Sequence, residues 1–488
     1  MAFGDRVLSQ VPPRKIAIGI IALVAVALFV HKASLAVGDP FFAGDAGHRM
    51  NYAGSPVAPM DNRVWLPALQ THICAFYYAH LPIPAFKLIS PSYLFIAVFI
   101  LGWFAYRYTG ETYTSLGVAL LLMVCFAFQH IMTFLSTHLY QEMMAAALLF
   151  SLLWGGALEL RKSRWLLLAG CAAMLTRDTF WIYLFVLTAL NLKTILHDSK
   201  LRLSFLLLWA IPALWLLSIP VAYLLFLGRP PELPMEWPLM VNKSNNAAIA
   251  SLGASARGLL NSLIRGQVFP ILAGVGVAWL IGRLWQQPSS DASGKTDSFL
   301  ARFAPFSLLS LGIIYTLIFL FDPWQIAGGS MRVGAPLIAH AFVWVMILFK
   351  ISAGYRPRWR ALARVALAAG MIIVVDTRAE SWIPTDYSQD RRAHAEIKAI
   401  IDEVGRDHTP MVCFAGQRYF KATEYFLAPS FRAKKWVKGP DADVAGRGCE
   451  VFIVPQEHTY QPGDDYRLRG TWTVNKERFR VHQRVERD

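Results

Sequence analysis

The amino-acid sequence predicts a mainly α-helical, polytopic membrane protein: a bundle of about 11 spanning helices followed by a C-terminal extracytoplasmic α/β domain. Only 16% of the 488 residues are charged and 55% are hydrophobic, whereas about a quarter of the residues are charged in soluble domains. Apolar runs of spanning length recur along most of the chain, and basic residues cluster between them. The net charge of +15 therefore follows the membrane topology, and no nucleic-acid partner is predicted.

The predicted spanning helices are the apolar runs of roughly 17–25 residues, the length that crosses the hydrocarbon core of a bilayer. They lie near residues 16–37, 85–106, 113–131, 140–159, 165–176, 178–192, 203–227, 266–284, 303–321, 333–349 and 361–376. The first run is too long for the apolar core of a cleavable signal peptide, so we interpret it as a signal anchor.

Residues 165–192 could form one span or a hairpin of two short helices. The flanking segments "ELRKSR" and "NLKTILHDSKLR" are both basic, and the positive-inside rule places such segments on the same face. A hairpin that turns at Thr176–Thr179 is therefore favoured. With this choice the inner segments carry 18 Lys and Arg residues and the outer ones about ten, which places the N-terminus inside and residues 377–488 outside the plasma (inner) membrane.

The C-terminal stretch differs in kind from the rest of the chain. Residues 1–376 are predicted as the membrane domain, and residues 377–488, with 19 basic and 17 acidic residues, as a small soluble domain. Within it, "RRAHAEIKAIIDEVGRD" and "QRYFKATEYFLA" have helical spacing, whereas "MVCFA", "EVFIVP" and "TWTVNKERFRVHQRV" are typical of strands. Cys413 and Cys449 could form a disulfide if this domain is extracytoplasmic, or be two buried thiols.

On this topology the notable polar residues fall on the outer side. Ionisable groups at membrane depth are costly and indicate function by default. Asp45 lies between Gly44 and Gly47, where the backbone can approach a ligand, and Glu142 opens an apolar span. The remaining candidates are His48, Arg49, Asp61, Arg63, Trp65, Arg177, Asp178, Lys243, Arg265 and Arg332. A local surface pair is the alternative for Asp61 and Arg63, and a cap of the hairpin is the alternative for Arg177 and Asp178.

These features together resemble the integral-membrane, C-type glycosyltransferase superfamily, in particular the branch of protein O-mannosyltransferases and lipid A aminoarabinose transferase. The resemblance covers nearly the whole chain. It rests on the order of "GDAGHRMNYA", the amphipathic "WLPALQTHICAFYYAHLP", "YQEMMAAALLF", the hairpin "LLAGCAAMLTRDTFW", the late loop "MRVGAPL" and the α/β tail. The chain departs from many relatives at Asp45-Ala46, where they have two adjacent acids, so a second carboxylate is not assigned.

The resemblance implies transfer of a sugar from a polyprenyl-phosphate donor to a glycan, lipid or protein acceptor at the outer face of the membrane. Such a reaction needs a base for the acceptor hydroxyl and cations for the departing phosphate. Asp45 suits the base, with Glu142 as a second catalytic candidate. Arg177, Lys243, Arg265 and Arg332 suit the phosphate, and His48, Arg49, Asp61, Arg63 and Trp65 complete the predicted substrate site.

The sequence is also compatible with three other functions. A transporter would tend to show repeated halves, and no convincing repeat is present. A polysaccharide polymerase or ligase also uses arginines, but we expect its large outer loop in mid-chain, and a scaffold would use its tail to bind a partner. No cofactor is certain. Asp45, His48 and Glu142 could hold a divalent metal, although their spacing matches no metal motif.

Overall fold

The computed structural model describes the elements that position the site. The described residues are 14–38, 49, 56–57, 67–160, 163–228, 260, 264, 268–285, 298–321, 334–375, 387–404, 412–414, 449–456, 464–474 and 477–485. They divide into two compact units, drawn from Met1–Ala36, Pro56–His72 and Lys87–Ala379, and from Val37–Ser55, Ile73–Phe86 and Glu380–Asp488. The predicted membrane boundary at residue 376 stays a prediction.

The described part of the chain before residue 380 is helical. Its helices are α1 (Arg14–Gly38), α2 (Ala68–Tyr78), α3 (Ile83–Lys87), α4 (Ile89–Thr109), α5 (Tyr113–Phe128), α6 (His130–Thr137), α7 (Gln141–Trp154), α8 (Ser163–Met174), α9 (Thr179–Leu190), α10 (Leu192–His197), α11 (Ser199–Leu227), α12 (Phe269–Trp285), α13 (Ser298–Phe321), α14 (Ala335–Ile351) and α15 (Pro357–Ile372). Each predicted span coincides with one of them, so the mainly α-helical, polytopic fold class is confirmed.

Helix length sets a limit on which of these helices cross a membrane alone. Within the described residues, five stretches are long and apolar enough: Arg14–Gly38, Pro84–Thr109, Ser199–Leu227, Ser298–Leu317 and Ala335–Gly354. The predicted hairpin is present, because α8 ends at Met174 and α9 begins at Thr179. At 12 residues each, these two helices extend only about 18 Å.

Two helices end earlier than the predicted spans, and each has a local reason. The run 113–131 breaks at Gln129, whose backbone is extended and whose side chain accepts a hydrogen bond from the N–H of Met132, which caps α6. The run 140–159 stops at Trp154 because Gly156 adopts a left-handed conformation with φ of 80°.

Helix ends that the predicted topology places on the same side of the membrane contact one another. At the predicted outer side, which we call the site end, the Ala68 N–H donates to the Leu175 carbonyl at 2.9 Å, and Gln129 pairs with Val375 through the backbone. On the opposite face, ends predicted to be inner meet. There Arg302 donates to the Leu158 carbonyl at 3.1 Å, and the Lys350 ammonium lies 4.0 Å from the centre of the Tyr108 ring.

Helices α12 and α15 cross with their backbones in close approach. A Cβ atom added at Gly274 would lie 2.8 Å from the carbonyl oxygen of Ala366, and one added at Gly370 would lie 2.5 Å from that of Pro270. Only a missing side chain lets the two backbones approach so closely, as is common between membrane helices, where packing drives association. Gly276, on the same helix, has no atom within 4 Å of an added Cβ.

The second unit contains a mixed sheet with the strand order β1-β2-β4-β3. The strands are β1 (Val412–Phe414), β2 (Val451–Pro455), β3 (Tyr466–Val474) and β4 (Glu477–Arg484); β1 and β2 are parallel and the other pairs are antiparallel. The predicted strand run 471–485 therefore contributes to two strands, and "QRYFKATEYFLA" lies outside the described residues.

The helix α16 (Tyr387–Val404) packs against β3 through charged and polar contacts. The Glu403 carboxylate accepts from Arg469 at 2.7 Å, and the Glu396 carboxylate accepts from the Trp472 indole at 2.7 Å. Hydrogen bonds from Trp472 and then Arg392 lower the pKa of Glu396 below its ordinary value. Cys449 is disulfide-bonded, whereas Cys125 and Cys171 are free thiols.

We expect Gly274→Ala to destabilise the bundle, because the new methyl group meets backbone that cannot move aside independently. Overpacking of this kind costs roughly 1–3 kcal/mol. Gly276→Ala is the matched control and should leave the melting temperature unchanged or slightly raised. Thermal unfolding of the purified variants in detergent measures both, and equal melting temperatures would contradict the crossing described here.

Candidate functional site: an ion pair at the mouth of an apolar cleft

Glu142 lies in the first turn of α7, at the site end of the bundle. Its side chain is only 4% exposed. The start of α7 is tied to α4. The N–H of Tyr140, the residue before α7, donates to the hydroxyl of Ser90 in α4 at 3.2 Å. A carboxylate in a first helical turn is favoured by the helix dipole, which partly offsets its burial.

Arg177 lies in the tight turn between α8 and α9. The Thr176 hydroxyl donates to the Ala172 carbonyl at 2.7 Å, and the Arg177 N–H donates to the Ala173 carbonyl at 3.2 Å, so the turn continues from the end of α8. Asp178 caps α9, because its carboxylate accepts from the N–H of Thr179 at 2.9 Å. A cap of the hairpin was the alternative to a functional role for Arg177 and Asp178, and Asp178 does cap a hairpin helix.

The two elements bring Glu142 and Arg177 together. A terminal nitrogen of Arg177 lies 3.4 Å from Glu142 Oε1, and its Nε lies 3.5 Å from Asp178 Oδ1. The Arg177 side chain is 17% exposed and that of Asp178 is 69% exposed. Arg177 is thus shared between a buried and an exposed carboxylate, and part of its side chain is accessible.

A cleft with about 380 Å³ of empty space, part of it open, begins at this pair. Its polar residues are Glu142, Arg177 and Thr179. Its remaining lining is apolar or aromatic and comes from three helices: Ala145, Ala146 and Leu149 of α7, Phe180 and Tyr183 of α9, and Ala335, Pro336 and Ala339 of α14. The arrangement suits an amphiphile with a charged head and a narrow apolar chain.

The structure describes few of the other predicted site residues. Arg49 is buried and belongs to the second unit. Asp45, His48, Asp61, Arg63, Trp65, Lys243, Arg265 and Arg332 lie outside the described residues, so their predicted roles stay predictions. The described ranges contain no group of three or more His, Cys, Asp or Glu side chains arranged to hold a metal. Because Asp45 and His48 are outside those ranges, the metal question stays open.

Sequence reasoning missed the small residues that open the cleft. Ala145 and Ala146 face the cleft together with Ala335 and Ala339, but alanine is common in apolar helices and carries no sequence signal of its own. It also passed over Lys32, which is fully buried in α1. A signal for Lys32 was available, because a lysine inside a spanning run is costly unless it is partnered.

Comparison with known proteins identifies the fold. The crystal structure of ArnT from Cupriavidus metallidurans bound to undecaprenyl phosphate superposes with a TM-score of 0.55 at 12% identity, over 94% of this chain and 97% of that one. The chain has the C-type glycosyltransferase fold. The apo-state ArnT structure aligns over the same shares of the two chains at 10% identity, with a TM-score of 0.40. No protein-family profile and no curated protein sequence match this chain.

The fold places this chain among membrane-embedded proteins and confirms the resemblance inferred from the sequence motifs. At 12% identity the likeness concerns the architecture alone.

Removing Arg177 should destabilise the protein more than removing the charge of Glu142. Loss of one partner of a buried ion pair costs on the order of 3 kcal/mol. In Arg177→Gln the less exposed carboxylate loses its cation, whereas in Glu142→Gln the guanidinium keeps Asp178 and some solvent. Asp178→Asn is the control, since asparagine also caps helices. Thermal unfolding gives the order, and an Asp178→Asn effect as large as that of Arg177→Gln would contradict it.

Proposed function

We propose that this protein is a glycosyltransferase that moves a sugar from a polyprenyl-phosphate donor to an acceptor hydroxyl at the extracytoplasmic face of the plasma (inner) membrane. The observation that carries the proposal is the Glu142–Arg177 pair at the mouth of an apolar cleft, in a chain with the fold of an ArnT crystallised with undecaprenyl phosphate. A polyprenyl phosphate has the matching chemistry: an anionic head joined to a narrow apolar chain.

Arg177 is the proposed contact for the phosphate of the donor. A guanidinium binds phosphate oxygens through two parallel hydrogen bonds, and the accessible part of Arg177 borders the cleft. Glu142 holds Arg177 from the buried side, so that the guanidinium is oriented before the lipid arrives. Lys243, Arg265 and Arg332 are proposed to add positive charge for the phosphate that departs in the reaction.

Asp45 is the proposed catalytic base. It would take the proton of the acceptor hydroxyl while the hydroxyl oxygen attacks the anomeric carbon, and the bond from that carbon to the phosphate oxygen breaks with its electrons going to the phosphate. His48, Arg49, Asp61, Arg63 and Trp65 are proposed substrate-binding residues, with the indole of Trp65 available for stacking on a sugar. Glu142, through Arg177, is the proposed second carboxylate of the site.

Asp45→Asn should express normally, bind donor almost as the wild type does and lose transfer by at least about a hundredfold, because removing a general base typically costs roughly 10²–10⁴ in rate. The measurement is release of sugar from defined polyprenyl-phosphate sugars by the purified enzyme. Near wild-type turnover of Asp45→Asn would move the base to Glu142 or Asp61. The control Asp198→Asn should turn over normally, since Asp198 caps α11 and does not line the cleft, and asparagine also caps helices.

Two other functions make different predictions in the same assay. A polysaccharide polymerase or ligase would consume lipid-linked oligosaccharides and leave single-sugar donors intact. A transporter would move its substrate across liposomes without cleaving a sugar–phosphate bond. Absence of sugar release with every single-sugar donor, in a preparation that still binds polyprenyl phosphate, would contradict the proposed transfer.

The outward orientation of the second unit is part of the proposal and has its own support. Cys449 in that unit is disulfide-bonded, and structural disulfides persist in oxidising compartments. A single cysteine introduced at the exposed Thr473 should react with a membrane-impermeant maleimide in intact cells or, for a bacterial inner membrane, in spheroplasts. Reaction only after lysis would refute this orientation, and a cysteine at the exposed Lys193, in a predicted inner segment, is the control.

A further inference from the structure

The turn between α14 and α15 gathers arginines at the end of the bundle opposite the site end. α14 begins at the cleft with Ala335, and α15 ends close to Val375, which pairs with Gln129 at the site end. The turn that joins the other ends of these two helices therefore lies at the predicted inner side. Its arginines are Arg356, Arg358, Arg360 and Arg364.

Two of these arginines are held in place by the protein. Nε of Arg364 donates to the Ser352 hydroxyl at 3.0 Å, and that hydroxyl donates its own proton to the Phe349 carbonyl at 2.7 Å. A terminal nitrogen of Arg360 donates to the Tyr355 carbonyl at 3.2 Å. Ser352 and Tyr355 are buried, and the two arginines are half-buried. Both guanidinium groups are thus oriented by acceptors on a buried turn.

Positive charge is concentrated at this pair. Arg360 and Arg364 are four residues apart on α15, so they lie side by side on one helix face, and their guanidinium groups repel each other. They are in the first two turns of α15, where the helix dipole adds positive potential, and the first turn holds no acidic residue. Within the described part of the chain, none of the four arginines forms an ion pair with a carboxylate. Enclosed cations without a counter-ion are costly, and a bound anion would lower that cost.

The positive-inside rule accounts for arginines on this side of the membrane. It does not require that they be partly enclosed and hydrogen-bonded to the protein. Arg356 and Arg358 are exposed, as the rule alone predicts, whereas Arg360 and Arg364 are not. The difference marks the second pair as a built site.

Apolar surface on the same helix indicates which kind of anion fits. Leu362 and Val365, on either side of Arg364 in the sequence, are 47% and 63% exposed. In a helix that spans a membrane, such side chains contact lipid chains. An amphiphile with an anionic head would use both the arginines and this apolar surface, whereas an inorganic anion would use the charge alone. A phosphate suits the pair, because a guanidinium binds its oxygens through two parallel hydrogen bonds.

We propose that Arg360 and Arg364 bind the phosphate of an anionic phospholipid in the leaflet at this end of the bundle, the inner leaflet on the predicted topology. Leu362 and Val365 contact its acyl chains. The site is separate from the cleft at Glu142 and Arg177, and it does not depend on the proposed sugar transfer.

The test is a lipid titration of the purified protein in detergent, followed by native mass spectrometry. The probes are phosphatidylglycerol and phosphatidylcholine with the same acyl chains. We expect the wild type to prefer phosphatidylglycerol. Each basic residue beside an anionic head group is worth roughly fivefold in affinity, so Arg360→Gln/Arg364→Gln should bind phosphatidylglycerol roughly 30-fold more weakly. Its binding of phosphatidylcholine should be unchanged.

Two further variants separate the site from net charge. Lys193→Gln/Arg202→Gln removes the same two charges from exposed positions on the predicted inner side. It should bind phosphatidylglycerol almost as the wild type does, because exposed charges contribute little. Arg360→Lys/Arg364→Lys keeps the charge but loses the bidentate geometry, so its affinity should lie between those of the wild type and the glutamine variant.

Equal affinity of the wild type for the two lipids would overturn the proposal, as would equal losses in the two glutamine double variants. Wild-type affinity in the lysine variant would show that charge alone suffices and would refute the oriented pair. Displacement of the lipid by inorganic phosphate at equal concentration would identify a soluble anion as the ligand instead. If Arg360→Gln/Arg364→Gln fails to fold, the lysine variant decides, because it keeps both charges. Sugar transfer is not part of this test, so its absence would contradict only the proposed function.

Discussion

The structure depends on one constraint: the hydrocarbon core of a membrane offers no hydrogen-bond partner, so every polar group at that depth has to be satisfied by the protein itself. Helices meet this demand for the backbone. The polar side chains meet it by pairing across helices, as Lys32 does with Thr133 and Glu142 does with Arg177. Both pairs lie toward the site end of the bundle, near the break between α5 and α6 and the turn between α8 and α9.

The candidate site follows from this placement of charge at helix ends. α7 presents Glu142 in its first turn, the hairpin of α8 and α9 presents Arg177 in its turn, and α14 closes the cleft with small side chains. The hairpin helices are short, and their turn carries charged side chains that would be costly among lipid chains. Pairing with Glu142 and access to an open cleft reduce that cost.

Close helix packing also holds the rest of the bundle together. The crossing of α12 and α15 at Gly274 and Gly370 brings backbones together without intervening side chains, and Gln129 pairs with Val375 at the site end. In the proposed function, the charged pair would bind the phosphate of the donor and the apolar cleft its lipid chain.

The sequence by itself determined the mainly helical architecture, the order of the helices, the short hairpin and the presence of strands near the C-terminus. The lengths of the apolar runs and the distribution of basic residues predict these features directly, because both reflect the free energy of transferring each segment from water into lipid. It did not show that the run 113–131 breaks at Gln129, since a glutamine that caps the next helix looks like any polar residue in a span.

The sequence also identified Glu142 and Arg177 as candidates, but only as separate residues. Only the tertiary structure decided that they pair, that four alanines open a cleft beside them and that Lys32 reaches Thr133. These contacts join residues far apart in the chain, and hydrophobic periodicity describes which face of a helix is buried but not which helix lies against it.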